Sequence, residues 1–316
     1  GQLFFNSTAN AFKETITDIP GATWASGGDL NTGRNAVVAG MAGTQTASML
    51  MGGQTPGTGD LNLVEQYNGT SWTEIAEINT ARREGGAVGT TTSSIFFTGR
   101  AVPSPTIQNG STLNENWNGS AWTETTDVNT ANFRIGVAGE YTAAILFGGG
   151  PTPAAPGRYK KTESWDGSSW TAVSDMNGPA KTAIAGAGTQ TAALGINGET
   201  PASPYATDQV ESWDGSSWTE ITETNSSLNF RAAAGIQTLA LAFGGYNPPG
   251  GASVTDTEIW NGSSWTEINN LGTARSELGG SGTAIAALGA SGTPTSTKSA
   301  TEEFTASLSN KTITAS

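Results

Sequence analysis

The sequence contains no cysteine and no histidine. The absence of cysteine excludes disulfides and thiolate nucleophiles, and the absence of histidine excludes imidazole acid–base chemistry and the usual ligands of zinc and copper. The sequence therefore predicts a protein that is not an enzyme, with no catalytic residue, no cofactor and no metal site. Its stability must come from apolar burial and from hydrogen bonds between backbone groups.

Basic residues are also scarce. The chain has 14 Lys and Arg against 27 Asp and Glu, which gives a formal net charge of −13. A surface with so few Lys and Arg residues has little positive charge to neutralise phosphate groups. This argues against nucleic acid and against an anionic membrane surface as partners. There is no run of 18 apolar residues. The sequence therefore predicts no membrane insertion.

Tryptophan, in contrast, recurs at regular intervals. Five tryptophans end a short turn motif such as WDGSSW, and a sixth ends a degenerate copy: Trp72, Trp122, Trp170, Trp218, Trp265 and, in the degenerate copy, Trp24. Four more open the motif, with Tyr67 once in their place: Trp117, Trp165, Trp213 and Trp260. The terminal tryptophans lie 47 to 50 residues apart. Six units of this length indicate a repeat architecture.

Residues 62–99 illustrate one unit. NLVEQY alternates apolar and polar residues and predicts a strand, and Asn68-Gly69 predicts a tight turn because both residue types tolerate positive φ. SWTEI predicts the returning strand, and after a polar connection GGAVG and IFFTG predict two more. A glycine 17 to 19 residues after each terminal Trp marks the turn between these two strands: Gly43, Gly89, Gly139, Gly188, Gly235 and Gly282. Each unit therefore holds four antiparallel strands. The small-residue strand suits the centre of a ring, and the tryptophans suit the outside, where volume must be filled.

This order of strand, aromatic residue, Asn/Asp-Gly turn, Trp, basic residue and small-residue strand resembles the kelch repeat. The resemblance covers about residues 12–316 and implies an all-β fold, a six-bladed β-propeller. We expect residues 24–316 to form the propeller and residues 1–23 to form an N-terminal hairpin. The ring closes if the strand of Trp24 pairs with the strand that ends at Phe304, although the tail LSNKTITAS competes for the same place.

Two features of the units are interpreted as structural. A glutamate precedes each opening aromatic residue by two positions and is expected to pair with a basic residue of a neighbouring connection: Glu65, Glu115, Glu163, Glu211, Glu258 and Glu302. The basic ring is uneven, because four basic residues lie 10 or 11 residues after the Trp, whereas Arg134 and Arg231 lie 12 and 13 residues after it. The sequons at Asn68, Asn118 and Asn261 are explained by turn chemistry.

Enzymatic relatives of the fold fit the sequence poorly. WDGSSW is similar to the Asp-box of sialidases but lacks the residue between Asp and Gly, and no arginine triad is evident. The galactose-oxidase relatives of kelch proteins need His and Cys, which are absent. A glycosidase needs only two carboxylates, but a glutamate that recurs once per blade favours a structural role.

The loops between the second and third strands are long and dissimilar, and they hold 11 of the 13 prolines and three of the five tyrosines. They share one face with the connections between blades, whereas the other face carries short, uniform turns. Variable loops on a rigid scaffold commonly bind ligands. The candidate ligand-binding residues in these loops are Tyr159, Tyr205, Tyr246, Arg100, Arg158 and Lys160.

The N-terminal segment and two phrases of the repeats provide a further resemblance. GQLFFNSTANAFKETI is similar to hairpins of bacteriophage tail-fibre proteins, and GTQTAALGI and ESWDGSSWTEI are similar to kelch-type repeats in virion proteins of marine bacteriophages. Leu3, Phe4, Phe5 and Phe12 are too apolar for a free hairpin, so we expect residues 1–23 to attach to a neighbouring subunit or to a preceding part of a longer chain.

These resemblances imply a virion-surface or tail-fibre propeller, or another extracellular appendage, that binds a host-surface glycan or protein. Its other partners would be subunits of the virion or appendage, including copies of itself. The alternatives are a purely structural capsid-decoration or filament subunit and a bacterial extracellular adhesin. A ligand screen discriminates between a binding protein and a structural one.

Overall fold

The chain folds as an all-β, six-bladed β-propeller. The computed structural model describes residues 3–6, 11–55, 59–101, 109–152, 157–294, 296 and 298–312, with the side chains of 3–6, 11–20 and 307–312 left aside. Six sheets of four antiparallel strands form the blades, and the sixth carries one additional strand. No α-helix occurs in these residues. The predicted fold class and the four-stranded unit are confirmed.

The strands follow the repeat. Two precede the first blade: β1 (Leu3–Asn6) and β2 (Ala11–Ser26). Blade 1 contains β3 (Met41–Thr44), β4 (Ala47–Met51), a small loop hairpin of β5 (Gln54–Thr55) and β6 (Gly59–Asp60), then β7 (Val64–Tyr67) and β8 (Trp72–Ile75). Blade 2 contains β9 (Gly86–Gly89), β10 (Ser94–Phe97), β11 (Asn114–Trp117) and β12 (Trp122–Glu124). Blade 3 contains β13 (Gly136–Glu140), β14 (Ala143–Phe147), β15 (Thr162–Trp165) and β16 (Trp170–Val173).

The remaining blades repeat the plan. Blade 4 contains β17 (Ala185–Thr189), β18 (Ala192–Ile196), β19 (Val210–Trp213) and β20 (Trp218–Ile221). Blade 5 contains β21 (Ala232–Ile236), β22 (Leu239–Phe243), a loop hairpin of β23 (Tyr246–Asn247) and β24 (Ala252–Ser253), then β25 (Thr257–Trp260) and β26 (Trp265–Glu267). Blade 6 is built from β27 (Gly279–Thr283), β28 (Ala286–Ala290) and β29 (Thr301–Thr312), and β2 supplies its fourth strand.

The six inner strands surround a narrow central channel. They are β3, β9, β13, β17, β21 and β27, and each contacts the next around the ring. Glycine and alanine, with Met41, Val88, Val137 and Ser281, line a channel cavity of about 140 Å³. The predicted position of the small-residue strand is confirmed, because larger side chains would not fit where six strands converge.

The backbone requires the glycine that is the last or next-to-last residue of each inner strand. At the six equivalent positions φ lies between 102° and 120°, and an added Cβ would sit 2.2 to 2.4 Å from a backbone oxygen of the returning strand: Gly43, Gly89, Gly139, Gly188, Gly235 and Gly282. Only glycine is accommodated in this conformation and in this space. The predicted turn is therefore confirmed in every blade.

The aromatic pair of each blade packs against the blade before it. Trp165 and Trp170 of blade 3 lie in one core cluster with Phe97 of blade 2, and Trp213 and Trp218 of blade 4 share another with Phe147 of blade 3. The centroid of the Trp170 ring lies 4.8 Å from that of Phe97. The five terminal tryptophans are only 2 to 6% exposed. They are buried between blades, as the sequence predicts.

Ring closure occurs where the chain ends meet. Trp24 of β2 pairs with Phe304 of β29, and the Trp24 ring packs 4.9 Å from Phe243 of blade 5. The described part of the tail, residues 308–312, does not compete for this place, and residues 313–316 lie outside the described residues. Instead its residues continue the same pairing outward, from Asp18↔Ser307 to Lys13↔Thr312, after a register shift between Asp18 and Thr23.

The N-terminal hairpin is an outward continuation of blade 6. β1 pairs with β2, with Phe5 opposite Phe12, and β2 then runs without interruption across the predicted boundary at residue 23 into the propeller. Ala22 is fully buried in the core between blades 5 and 6. The connecting residues 7–10 lie outside the described residues.

A buried ion pair ties most blades to the connection that precedes them. Each glutamate of the repeat is buried and accepts hydrogen bonds from that connection, as from Asn31 to Glu65. Five of the six also pair with a basic residue: Arg34–Glu65, Arg82–Glu115, Lys181–Glu211, Arg231–Glu258 and Arg275–Glu302. The predicted unevenness is real, because Asn132 takes the arginine's place in the third connection and bonds the carbonyl of Gly148 instead.

Replacing Trp218 by alanine should lower the free energy of unfolding by about 3–5 kcal/mol, because the ring is buried between two rigid blades that cannot collapse into the space. Chemical denaturation of the variant measures the loss. Thr219→Ala is the matched control, since Thr219 is the next residue of the same strand and is exposed. A loss below about 1 kcal/mol for Trp218→Ala would show that the ring adds no more than a surface residue.

Replacing Lys181 by arginine should raise the free energy of unfolding by about 1 kcal/mol. The Lys181 Nζ lies 3.6 Å from Glu211 Oε1, and neither of these buried atoms has a hydrogen-bond partner in the described structure. Arg275 makes the same kind of pair at 2.6 Å and also bonds the Ala300 carbonyl. The reciprocal Arg275→Lys should therefore lower stability, and equal denaturation midpoints for all three proteins would contradict this interpretation.

Candidate functional site

The face that carries the second-to-third loops and the blade-to-blade connections is called the loop face. The segment that enters each blade forms a β-bridge with that blade's loop, once per blade: Asn35↔Gln54, Arg83↔Arg100, Phe133↔Gly150, Thr182↔Glu199, Asn229↔Tyr246 and Ser276↔Thr293. These bridges fix the base of every loop to the scaffold. The base of each loop is therefore held at an equivalent place in every blade, although the loop sequences differ.

A ring of six left-handed residues lies directly after the bridges, where the connections enter the inner strands. Their φ values are 53° to 58°, which is uncommon for residues other than glycine: Ala36, Glu84, Arg134, Ala183, Phe230 and Glu277. In five of the six the N–H donates to the carbonyl of the equivalent residue one connection earlier, at 2.7 to 3.3 Å. In the first connection the N–H of Val37, rather than that of Ala36, closes the ring by donating to the Glu277 carbonyl at 3.2 Å. Hydrogen bonds around the whole ring hold this strained conformation, and the six side chains surround the mouth of the channel.

Charged side chains form a network on one side of this mouth, here called the mouth cluster: Arg83, Arg100, Arg134, Arg158, Asp60, Glu84 and Glu199. Glu84 is its centre. It is 1% exposed, accepts a hydrogen bond from Arg100, and accepts another from Arg134 Nε at 2.6 Å. Arg83 lies 4.0 Å from the same carboxylate and is bound to Asp60. Three guanidinium groups therefore converge on one buried carboxylate.

Arg134 connects the cluster to the opposite side of the mouth. Its guanidinium carbon lies 4.7 Å above the centroid of the Phe230 ring, and its Nη1 lies 3.5 Å from Glu199. Glu199 is also held by Arg158 at 2.5 Å. Burial by itself lowers the pKa of Arg134, but the charge and hydrogen bond of Glu84, with the charges of Glu199 and Glu277, raise it above its usual value. Arg134 thus remains a cation that bridges the channel mouth.

The structure places all six predicted site residues on the loop face. Arg100 and Arg158 belong to the mouth cluster, on loops of blades 2 and 3. Lys160 is exposed and its Nζ donates to the Asn177 carbonyl at 3.1 Å. Their assignment to ligand binding stays a prediction.

The three tyrosines lie in consecutive loops, those of blades 3, 4 and 5. The Nζ of Lys161 lies 5.0 Å from the centroid of the Tyr159 ring. Burial raises the pKa of the Tyr159 hydroxyl. Tyr205 is 53% exposed. Asn229 joins the loops of Tyr205 and Tyr246, because its side chain donates to the Tyr205 carbonyl at 3.0 Å and its backbone pairs with Tyr246.

Sequence reasoning missed the residues at the centre of the mouth cluster: Glu84, Arg134 and Glu199. A signal was present in the irregular spacing of Arg134, which lies two residues beyond the regular arginine position. The displacement moves its side chain from the ion pair inside a blade to the channel mouth. No periodic feature marks Glu84 or Glu199. The position of Glu84 holds glutamate again only at Glu277, and the bridge position of Glu199 holds a different residue in every other blade.

The opposite face, here called the turn face, carries the Asn/Asp-Gly turns and the turns between the first two strands. In each Asn/Asp-Gly turn the side-chain oxygen accepts two backbone N–H groups, as Asp166 does from Ser168 and Ser169. Hydrogen bonds from these serines lower the pKa of Asp166 to about 2. Glutamines from the other turns bond the neighbouring blade, as Gln237 Nε2 does to the Trp213 carbonyl at 2.5 Å. The turn face is uniform because its side chains maintain the fold.

In comparisons with known proteins, no family model and no curated protein matches this chain. Within the described ranges, no cluster of three or more acidic side chains is placed to hold a metal ion. The same residues include no helix long and apolar enough to span a bilayer.

Replacing Glu84 by glutamine should cost about 3 kcal/mol of folding free energy, because it leaves buried guanidinium groups without their carboxylate. Denaturant titration measures the change. Glu199→Gln is the matched control, because Glu199 also pairs with Arg134 but its side chain is 22% exposed. The folding free energy lost in this variant should stay below about 1 kcal/mol. Equal losses for both variants would show that Glu84 is not the centre of the network.

Proposed function

We propose that this propeller is a non-enzymatic binding protein of a virion surface or tail fibre that engages a host-surface glycan through its loop face. The observation that carries the proposal is the contrast between the faces. On the turn face the side chains stabilise the turns and form hydrogen bonds between blades. The loop face instead presents loops of differing sequence on a fixed base. A rigid base with variable loops suits recognition.

The chemistry of the loop face suits a polyhydroxylated ligand. The mouth cluster offers guanidinium donors and carboxylate acceptors side by side, and Arg134 and Glu199 are its partly exposed members. Sugar hydroxyl groups both donate and accept hydrogen bonds, so they match such a mixture, and the exposed ring of Tyr205 supplies an apolar surface for a sugar face. Because the loops are bridged to the scaffold, binding orders few additional groups.

The virion assignment rests on the resemblance of GTQTAALGI and ESWDGSSWTEI to phage virion repeats, and the position of the N-terminal hairpin agrees with it. β1 forms the outer edge of the blade 6 sheet, beyond β2. An edge strand offers unpaired backbone groups to another chain. We propose that this edge attaches the propeller to other virion or appendage subunits, or to copies of itself.

Replacing Tyr205 by alanine should reduce binding on a glycan array at least tenfold, because the exposed ring lies among the loops of the binding face. Ile236→Ala is the matched control: Ile236 is 55% exposed, against 53% for Tyr205, but it lies on the turn face. Equal array signals for both variants would place the ligand elsewhere. Failure of the unmodified chain to bind any glycan would favour the purely structural subunit.

Deleting residues 1–10 should remove self-association while leaving the propeller folded, because the deletion takes away β1 and spares the part of β2 that closes the ring. Light scattering measures the mass, and thermal unfolding measures the fold. If the truncated chain loses its cooperative transition, the hairpin is part of the propeller core. If it keeps the mass of the full chain, β1 is not the attachment edge.

A further inference from the structure

A cleft on the loop face lies between the connection into blade 5 and the loop of that blade. It has a volume of about 410 Å³, and none of its lining residues belongs to the mouth cluster. Ligand sites commonly begin near 300 Å³. Leu228, Pro249 and Val254 supply its apolar lining, and Ser226, Asn247 and Asp256 supply polar groups. The cleft therefore has the size of a small-ligand site, with an apolar wall and a polar wall.

The walls of the cleft are held in place by hydrogen bonds. On one side, Leu228 is bridged to Thr207 of the blade 4 loop, and its neighbour Asn229 is bridged to Tyr246. On the other side, the loop forms the hairpin of β23 and β24, and the N–H of Val254 donates to the Gly245 carbonyl at 2.9 Å. The cleft is thus formed before a ligand arrives, which favours binding.

The polar wall carries a negative charge. One oxygen of Asp256 pairs with Arg231 Nη2 at 2.5 Å, and the other accepts a hydrogen bond from Ser226 Oγ at 3.2 Å. Arg231 is fully buried and also bonds Glu258 at 2.8 Å, so two carboxylates face one guanidinium. None of the described lining residues is Lys or Arg. Like-charge repulsion therefore disfavours sialic acids, uronic acids and phosphates.

We propose that this cleft is a subsite for one uncharged pyranose ring of the glycan; the assignment rests on the proposed function. The C–H face of the ring packs on Leu228, Pro249 and Val254. Its hydroxyl groups donate to Asp256 and exchange hydrogen bonds with Ser226 and Asn247. A lysine side chain of a protein ligand would pair with the carboxylate of Asp256, but it would leave the polar groups of Ser226 and Asn247 without a ligand partner. The cleft thus selects neutral hexoses over acidic sugars.

The first test uses the unmodified protein and NMR of labelled leucine and valine methyl groups. Methyl glycosides of glucose, galactose, mannose and N-acetylglucosamine are added one at a time, with methyl glucuronide as the acidic probe. At least one neutral glycoside should shift the methyl signals of Leu228 and Val254 at millimolar concentration, and the glucuronide should bind at least tenfold more weakly. Shifts confined to other methyl groups, or none with any neutral glycoside, would overturn the assignment.

The second test fills the cleft. Ser227 lines it and lies outside the Arg231–Asp256 pair, so Ser227→Trp blocks the space without removing an ion pair. The matched control is Thr238→Trp, at an exposed position of the turn face. Ser227→Trp should weaken binding of the neutral glycoside at least tenfold, and Thr238→Trp should leave it unchanged.

The two tests separate the subsite from the wider function. If Ser227→Trp keeps full binding on the glycan array, the cleft assignment is wrong and the proposed function stands. If the array shows no binding while Leu228 and Val254 respond to a neutral glycoside, the cleft assignment is supported and the proposed function is wrong.

Discussion

The packing of each blade's aromatic pair against the preceding blade is the interaction on which the rest of the structure depends. Without disulfides, six short sheets are stable only if each buries a large apolar surface against its neighbours. Trp170 against Phe97 and Trp218 against Phe147 supply such contacts within the ring. Trp24 supplies the one that closes it, against Phe243 and Phe304. Since every blade contributes to two interfaces, no blade is complete on its own.

The sequence predicts this plan because the constraints are local and recur six times. Gly43 and its equivalents must adopt positive φ against a facing backbone oxygen, and each terminal tryptophan fills the same inter-blade space. The mouth cluster could not be predicted in the same way. Glu84 and Arg134 occupy the same repeat position in successive connections, yet Ala183 and Phe230 occupy it in the next two. Their contacts join the connections of different blades, as from Arg134 to Glu84 and to Phe230, so no pattern within one unit reveals them.

The few basic residues of the chain are divided between ion pairs inside the blades and the mouth cluster on the loop face. Most regular positions use Arg or Lys inside a blade, to pair with the buried glutamate. In the third connection Asn132 takes over the bond to the loop carbonyl, and Arg134 is thereby available at the channel mouth. Proline-rich loops and the mouth cluster then lie on one face, while the turn face keeps side chains that serve the fold. This separation lets the loops diverge without loss of stability.

Native-state hydrogen exchange of the backbone amides tests whether the blades form one closed and cooperative ring. In such a ring the inner-strand amides of all six blades exchange together, with the free energy of global unfolding. This includes the amides of blade 6, where β2 pairs with β29. Independent opening of single blades, or blade 6 exchanging well before the others, would contradict it.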